Sequence, residues 1–237
     1  MRTMCVTAAG ACRAVAPLTV VCFVHRTQYM NAIVARIDKR ARMHNIVVLP
    51  HNFFSYMWSN GIASIDSWVA RLDVDLLRAE HVFFLVHMGN VANLLHWIGV
   101  HAIVQRRRVV AYDSLPYDNT VVCNVRSASS AQHCAHCIDA TAQRVRDFFV
   151  RRIALAVAAW RARVAAHHAA AQLPPWLRGG DEWAVDGSGA CGKQNDATEC
   201  GVYALGAADD IAHGRAPSVT PDTVVERRAR FGGMLLE

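Results

Sequence analysis

The plainest pattern along the chain is a pair of β-rich runs. Ile98 to Val104 reads Ile-Gly-Val-His-Ala-Ile-Val, Val109 to Tyr112 reads Val-Val-Ala-Tyr, and the polar Gln105-Arg106-Arg107-Arg108 lies between them. Short apolar runs around a charged turn predict an antiparallel hairpin turning near Gln105. Farther on, Val145, Phe148, Phe149, Ile153, Val157, Trp160 and Val164 recur at helical spacing, which predicts an amphipathic helix over Ala142 to Gln172. Leu173-Pro174-Pro175 breaks it, since proline brings no amide hydrogen to the helix ladder. The plain reading of this stripe is a helix docked on the domain; the sharper one is a partner-binding or membrane-surface element. A Gly- and polar-rich stretch from Asp186 to Glu199 then gives way to Val202 to Ala208, which favours helix.

At the N-terminus the apolar stretch Ala14 to Val24 is too short to span a bilayer, and Arg13 separates it from Val6 to Cys12. With the apolar region split and no clear cleavage site, it is a poor signal peptide, so residues 1–24 are read as an extension or a first strand. No membrane span is expected.

Composition adds a little. With 237 residues, 53% of them apolar, one domain with ample core is expected. The net charge is +6, yet only Lys39 and Lys193 are lysines in a chain rich in Ala, Val and Arg. That looks more like coding bias than selection for phosphate contacts. The arginines at 106–108, 144, 146, 151 and 152 are read as a solvated turn and the polar face of a helix, and no nucleic-acid partner is expected. The eight cysteines show no framework spacing, which suits a reducing, intracellular compartment, nucleus or cytoplasm.

Candidate chemistry changes the picture more. A thiol nucleophile needs a base to form its thiolate, a carboxylate to orient that base and a donor to hold the oxyanion. Cys200, His96, Asp113 and Gln194 are one candidate for each role. His96 and Asp113 are 17 positions apart. A hairpin turning near Gln105 brings them close to opposite, where paired Cα atoms lie about 4.5–5.5 Å apart. Cys200 opens the predicted helix, where the positive end of the helix dipole and a neighbouring imidazolium favour a thiolate. Gln194, on the loop leading in, could join the Cys200 backbone N–H around an oxyanion. A rival cluster, His133-Cys134-Ala135-His136-Cys137, could hold zinc if Cys123 or His167 and His168 completed the site. No Cys/His pair at finger-like spacing accompanies it, so a metal-free loop and no cofactor are expected.

From about Tyr29 onward the chain resembles the SUMO-specific (sentrin- or ubiquitin-like-protein-specific) cysteine proteases, relatives of the adenovirus maturation protease. The resemblance rests on His96-Trp97, on Asp113-Ser114-Leu115, and on Gln194 followed by five residues before Cys200-Gly201. Asn52-Phe53-Phe54, Trp68 with Leu72-Asp73-Val74, the run Val82 to Gly89 and the Arg-rich segment Arg228 to Leu236 match further landmarks. It implies an α+β papain-like fold, with a mixed sheet near 82–86, 98–104 and 109–112 packed on the helix that begins at Cys200. It also implies one catalytic domain over residues 25–237, with a helical insertion at about 123–180.

The roles implied are His96 as general base and acid, Asp113 as its orienter, Gln194 as oxyanion donor and Cys200 as nucleophile. Trp97 resembles the aromatic that covers a substrate glycine pair in a narrow tunnel, and Tyr29 stands in for a second tunnel aromatic. The implied substrate is a SUMO-like or other ubiquitin-like modifier or its conjugates, cut after Gly-Gly by a monomeric enzyme.

Departures from the family pattern bear on specificity. Ala32 replaces an acidic residue that contacts a basic group of the substrate, Asn90 to Leu94 look inserted, and Leu85 replaces a proline. Glu199 stands where Asp commonly precedes the nucleophile, and Asp196 where Asn is frequent. The alternatives are a viral or mobile-element polyprotein protease, an acetyltransferase effector with the same catalytic set, and a catalytically silent module that binds a ubiquitin-like partner.

Overall fold

A computed structural model describes residues 23–72, 74–88, 96–115, 135–166, 172–174, 177, 182–187, 189–195 and 199–236. Five strands form one mixed sheet whose spatial order follows the chain: β1 (Ile46–Leu49), β2 (His81–Met88), β3 (His96–Ile103), β4 (Arg108–Tyr112) and β5 (Ala184–Asp186). β1 pairs parallel to β2 and β5 parallel to β4, while β2, β3 and β4 run antiparallel. The expected hairpin is β3–β4. Its turn is a single 3-10 turn at Val104–Arg106 that ends on Arg107, whose φ of 49° reverses the chain.

Strand period two sorts the core into two layers. Val82, Phe84 and Val86 of β2 and Ile98, Val100 and Ala102 of β3 face one side with α2 (His51–Asn60), α3 (Asp66–Val69) and α4 (Ala135–Ala166). Phe83 and Leu85 face the other, where α1 (Phe23–Ala41), α5 (Cys200–Ala212) and α6 (Val224–Met234) pack. Helix α1 can lie there because Met30, Ile33, Val34, Ile37 and Ala41 share one face, at i, i+3, i+4, i+7 and i+11.

The α4 stripe docks on the domain. Val145, Phe148 and Phe149 are fully buried, and Phe148 meets Phe53 and Phe84 edge to face at 5.9 and 6.1 Å. Val157 and Trp160 are partly buried against the same cluster. The helix spans Ala135–Ala166, beginning before Ala142 and ending before Gln172. Thus His136 and Cys137 belong to its first turn, not to a loop, while Cys123, His133, Cys134, His167 and His168 lie outside the described residues. Likewise Asp73, Asn90 to Leu94, Asp196 and residues 1–22 lie outside them, whereas Phe23 and Val24 are helical. The second half of α4 borders a groove of about 780 Å³, lined by none of the four candidate catalytic residues.

Two expectations need correction. The arginines of α4 are not simply a solvated face. Arg151 and Arg152 reach Asp66 at 2.8 and 3.4 Å, and Arg144 donates to the Trp58 carbonyl and lies 5.4 Å from the centre of its ring, so these cations tie α4 to α2 and α3. Arg108, at the turn, pairs with Asp186 of β5 at 2.8 Å. Secondly, β1 and β5 went unforeseen: four and three residues are too short for periodicity to register.

Helix α5 carries Asp209 and Asp210 into the interior, at 1% and 0% exposure. Buried carboxylates need partners. Arg227 bridges both at 3.1 and 2.7 Å, Arg230 holds Asp209 at 2.8 Å, and Arg215 with Ser218 holds Asp210 at 3.0 and 2.8 Å. The arginines of α6 thereby clamp the helix whose first residue is Cys200. Among the described residues no helix is long and apolar enough to cross a membrane.

Candidate active site

The register of the hairpin decides how His96 meets Asp113. Gly99 pairs with Tyr112 and Ile103 with Arg108, so continuing the ladder sets Asp113 beside Ile98, not beside His96. The offset is two residues, one full pleat, so both side chains stay on one face at a diagonal that long side chains can bridge. The His96 Nε2–H donates to Asp113 Oδ1 at 2.7 Å, with both side chains buried. The Leu115 amide donates to the same oxygen at 2.8 Å. Cys200 interacts with the same imidazole.

Electrostatics follow from these contacts. Burial by itself lowers the His96 pKa. Interactions with Asp113 first, and with Cys200, outweigh it and raise the pKa from 6.5 to about 9. The imidazolium is therefore the favoured form at neutral pH.

Cys200 begins α5, and Glu199, the residue before it, fixes that start. The Glu199 carbonyl accepts the Val202 amide at 2.8 Å, and its carboxylate accepts Arg228 of α6 at 2.9 Å. The cysteine is 4% exposed and packs with Met30 and Trp97. Space there is close: a Cβ on Gly201 would lie 3.4 Å from the Met30 terminal carbon and 3.6 Å from Trp97 Cδ1.

Gln194 reaches the same neighbourhood through Ser114. Its main-chain amide donates to the Ser114 carbonyl at 2.8 Å, and the Ser114 hydroxyl donates to its side-chain Oε1 at 2.5 Å. Next to it, Lys193 Nζ donates to the Asp113 carbonyl at 2.8 Å, and the Tyr203 hydroxyl of α5 donates to the Lys193 carbonyl at 3.2 Å. The loop is thus laced both to the end of β4 and to α5. A second thiol, Cys191, donates to the Asp113 carbonyl at 3.1 Å, and burial pushes its pKa up. Of the two, Cys200 is the one that interacts with the His96 imidazole.

The two residues anticipated as substrate contacts fare differently. Trp97 is 5% exposed, with His51 and His87 edge-on at 5.4 and 4.7 Å, and it packs against the start of α5. Tyr29 is 42% exposed on α1, and its neighbour Met30 is the one that turns in toward Cys200. Sequence reasoning assigned no contact to Met30, which packs near Cys200, or to the Ser114 hydroxyl, which bonds Gln194. The apolar spacing of α1 carried the signal for Met30; Ser114 stood within the Asp113-Ser114-Leu115 motif, but its contact with Gln194 is made only in the folded chain.

No family model matches the chain, and no curated protein matches it. Solved structures do. The C-terminal Ulp1 protease domain in complex with Smt3, the yeast ortholog of SUMO, has a TM-score of 0.56 at 14% identity, over 86% of this chain and 74% of that one. The chain has the papain-like fold of the Ulp1 protease domain. The Ulp1-like SUMO protease catalytic domain of Chaetomium thermophilum gives 0.54 at 14% identity, over 88% of this chain and 70% of that one. Ulp1 with its catalytic cysteine oxidized to a sulfenic acid gives 0.56 at 12%, over 86% and 75%. At such identities the likeness is one of fold.

Proposed function

We propose that this chain is a cysteine peptidase or isopeptidase that cleaves after Gly-Gly at the C-terminus of a SUMO-like or other ubiquitin-like modifier. The observation that carries the proposal is the buried 2.7 Å hydrogen bond between His96 and Asp113, with Cys200 interacting with the same imidazole. The Ulp1-type fold, and the Smt3 partner of one such structure, support the substrate class. Residues 25–237 are proposed as one catalytic domain, with a helical insertion at about 123–180.

In the proposed reaction the Cys200 thiolate attacks the carbonyl after the glycine pair, and electrons move onto the oxygen. The Gln194 side-chain amide and the Cys200 N–H hold that oxyanion. Collapse expels the amine, which takes its proton from the His96 imidazolium and leaves an acyl-thioester. Neutral His96 then removes a proton from water, whose oxygen displaces the sulfur. Asp113 keeps the ring in register through both half-reactions, as an orienting carboxylate does in a triad. The small exposure of Cys200, with Trp97 beside it, favours a substrate segment without Cβ atoms, as a glycine pair is.

The test is covalent labelling by ubiquitin-like modifiers ending in a Gly-Gly electrophile, together with cleavage of Gly-Gly coumarin amides. We expect labelling at Cys200 and turnover that Cys200→Ala abolishes while the fold persists. Wild-type turnover in Cys200→Ala would sink the assignment, and a folded protein that ignored every such probe would turn the reading to a silent binding module.

A further inference from the structure

The geometry points to Ser114 as the residue that holds the Gln194 side-chain amide in place by its oxygen end, an inference that rests on the role proposed for Gln194. The two ends of a glutamine amide have nearly the same shape but opposite hydrogen-bonding character, the NH2 a donor and the oxygen an acceptor. Only the NH2 end can stabilise an oxyanion; the oxygen end would repel it. A flip of the amide would therefore convert a helpful group into a harmful one.

Ser114 engages the oxygen end. Its hydroxyl donates to Gln194 Oε1 at 2.5 Å, and its carbonyl accepts the Gln194 main-chain amide at 2.8 Å. These two bonds close a ring between the residues and fix how far apart they stand. Ser114 and Gln194 are 2% and 6% exposed, so bulk water competes little for the hydroxyl. With the oxygen end engaged, the NH2 end is turned away from Ser114. Because Ser114 follows Asp113, one dipeptide at the end of β4 orients both the imidazole and the amide. Ser114 is thus a positioning residue for the oxyanion donor.

The test uses the full chain with Ser114→Ala, Ser114→Thr, Gln194→Ala and the Ser114→Ala/Gln194→Ala pair. Removing an oxyanion donor outright costs on the order of 10² to 10³ in kcat, and loosening one is expected to cost on the order of tenfold. Ser114→Ala should lower kcat on a Gly-Gly coumarin amide by that amount with KM little changed. Alkylation of Cys200 by iodoacetamide, which passes through no oxyanion, should keep its rate. Ser114→Thr retains the hydroxyl and should restore most of the activity. In the Gln194→Ala background, Ser114→Ala should cost nothing further. If Ser114→Ala folds poorly, Ser114→Cys, similar in shape with a weak donor, takes its place. Equal losses in both backgrounds, or alkylation slowed in proportion to turnover, would overturn the assignment. The side-chain NH2 resonances of Gln194, identified by their loss in Gln194→Ala, add a readout free of activity. They should shift in Ser114→Ala, and unchanged resonances would count against the inference. An inactive wild type whose Gln194 resonances still depended on Ser114 would sink the protease reading alone. Active wild type with additive losses would sink the Ser114 assignment alone.

Discussion

Replacing Asp113 by Asn removes a charge from the site while keeping the size and shape of the side chain, and its effect can be worked out from the contacts of His96. The His96 pKa rises from 6.5 to about 9 although burial opposes the rise. At about 1.4 kcal/mol per pH unit, that is a preference of about 3 kcal/mol for the imidazolium in the folded protein. Asp113 supplies part of it through the 2.7 Å hydrogen bond and its charge. Loss of an adjacent opposite charge lowers such a pKa by about one to three units, so His96 should titrate between about 6 and 8 in Asp113→Asn. Since the imidazolium is the proposed acid for the departing amine, kcat/KM on a Gly-Gly coumarin amide should fall as pH rises through about 9 in the wild type. In Asp113→Asn this alkaline limb should move down by about one to three pH units, with activity at neutral pH lower by about 10² or more.

Folding stability should follow the same titration. A raised folded pKa means that the His96 contribution is fully present below about 6.5 and is lost as pH rises through about 9, so wild-type unfolding free energy should decline across that window. Urea titrations at stepped pH would measure it, and in Asp113→Asn the decline should begin and end at lower pH. An alkaline limb that stayed near pH 9 in Asp113→Asn would refute the claim that Asp113 holds the proton on His96.

Three further outcomes concern the frame around the site. Arg227→Ala strips partners from two carboxylates at 1% and 0% exposure and should destabilise the fold by about 3 kcal/mol, toward the low end for broken buried pairs because Arg215 and Arg230 remain; a change under about 0.5 kcal/mol in urea unfolding would place the clamp elsewhere. Phe148→Ala should cost about 3–5 kcal/mol, since α4 completes the core under the sheet; a near-neutral result would show α4 to be an appendage. Gly99→Ala drives a Cβ into the Phe83 ring and should cost about 1–3 kcal/mol, measured as a fall in Tm, and wild-type stability would contradict the packing described between β2 and β3.

How much of this was legible beforehand differs from element to element. The β3–β4 hairpin, the helix starting at Cys200 and the stripe of α4 each rest on the period of neighbouring residues along the chain, and the structure has all three. Residue type and order likewise singled out His96, Asp113, Gln194 and Cys200 as candidates. Tertiary contacts decided the rest, because they join residues whose separation in sequence carries no signal. The two-residue offset between His96 and Asp113 depends on how a 3-10 turn closes the hairpin, and no count of intervening residues specifies that closure. That Met30 turns inward while Tyr29 stays exposed depends on which face α1 lays on the sheet, and the pairing of Asp209 and Asp210 depends on where α6 returns. Ser114 meets Gln194 across 80 positions. Local pattern arises from the covalent neighbours of each residue, whereas the angle of an imidazole or the flip of an amide is set by atoms the folded chain brings in from elsewhere.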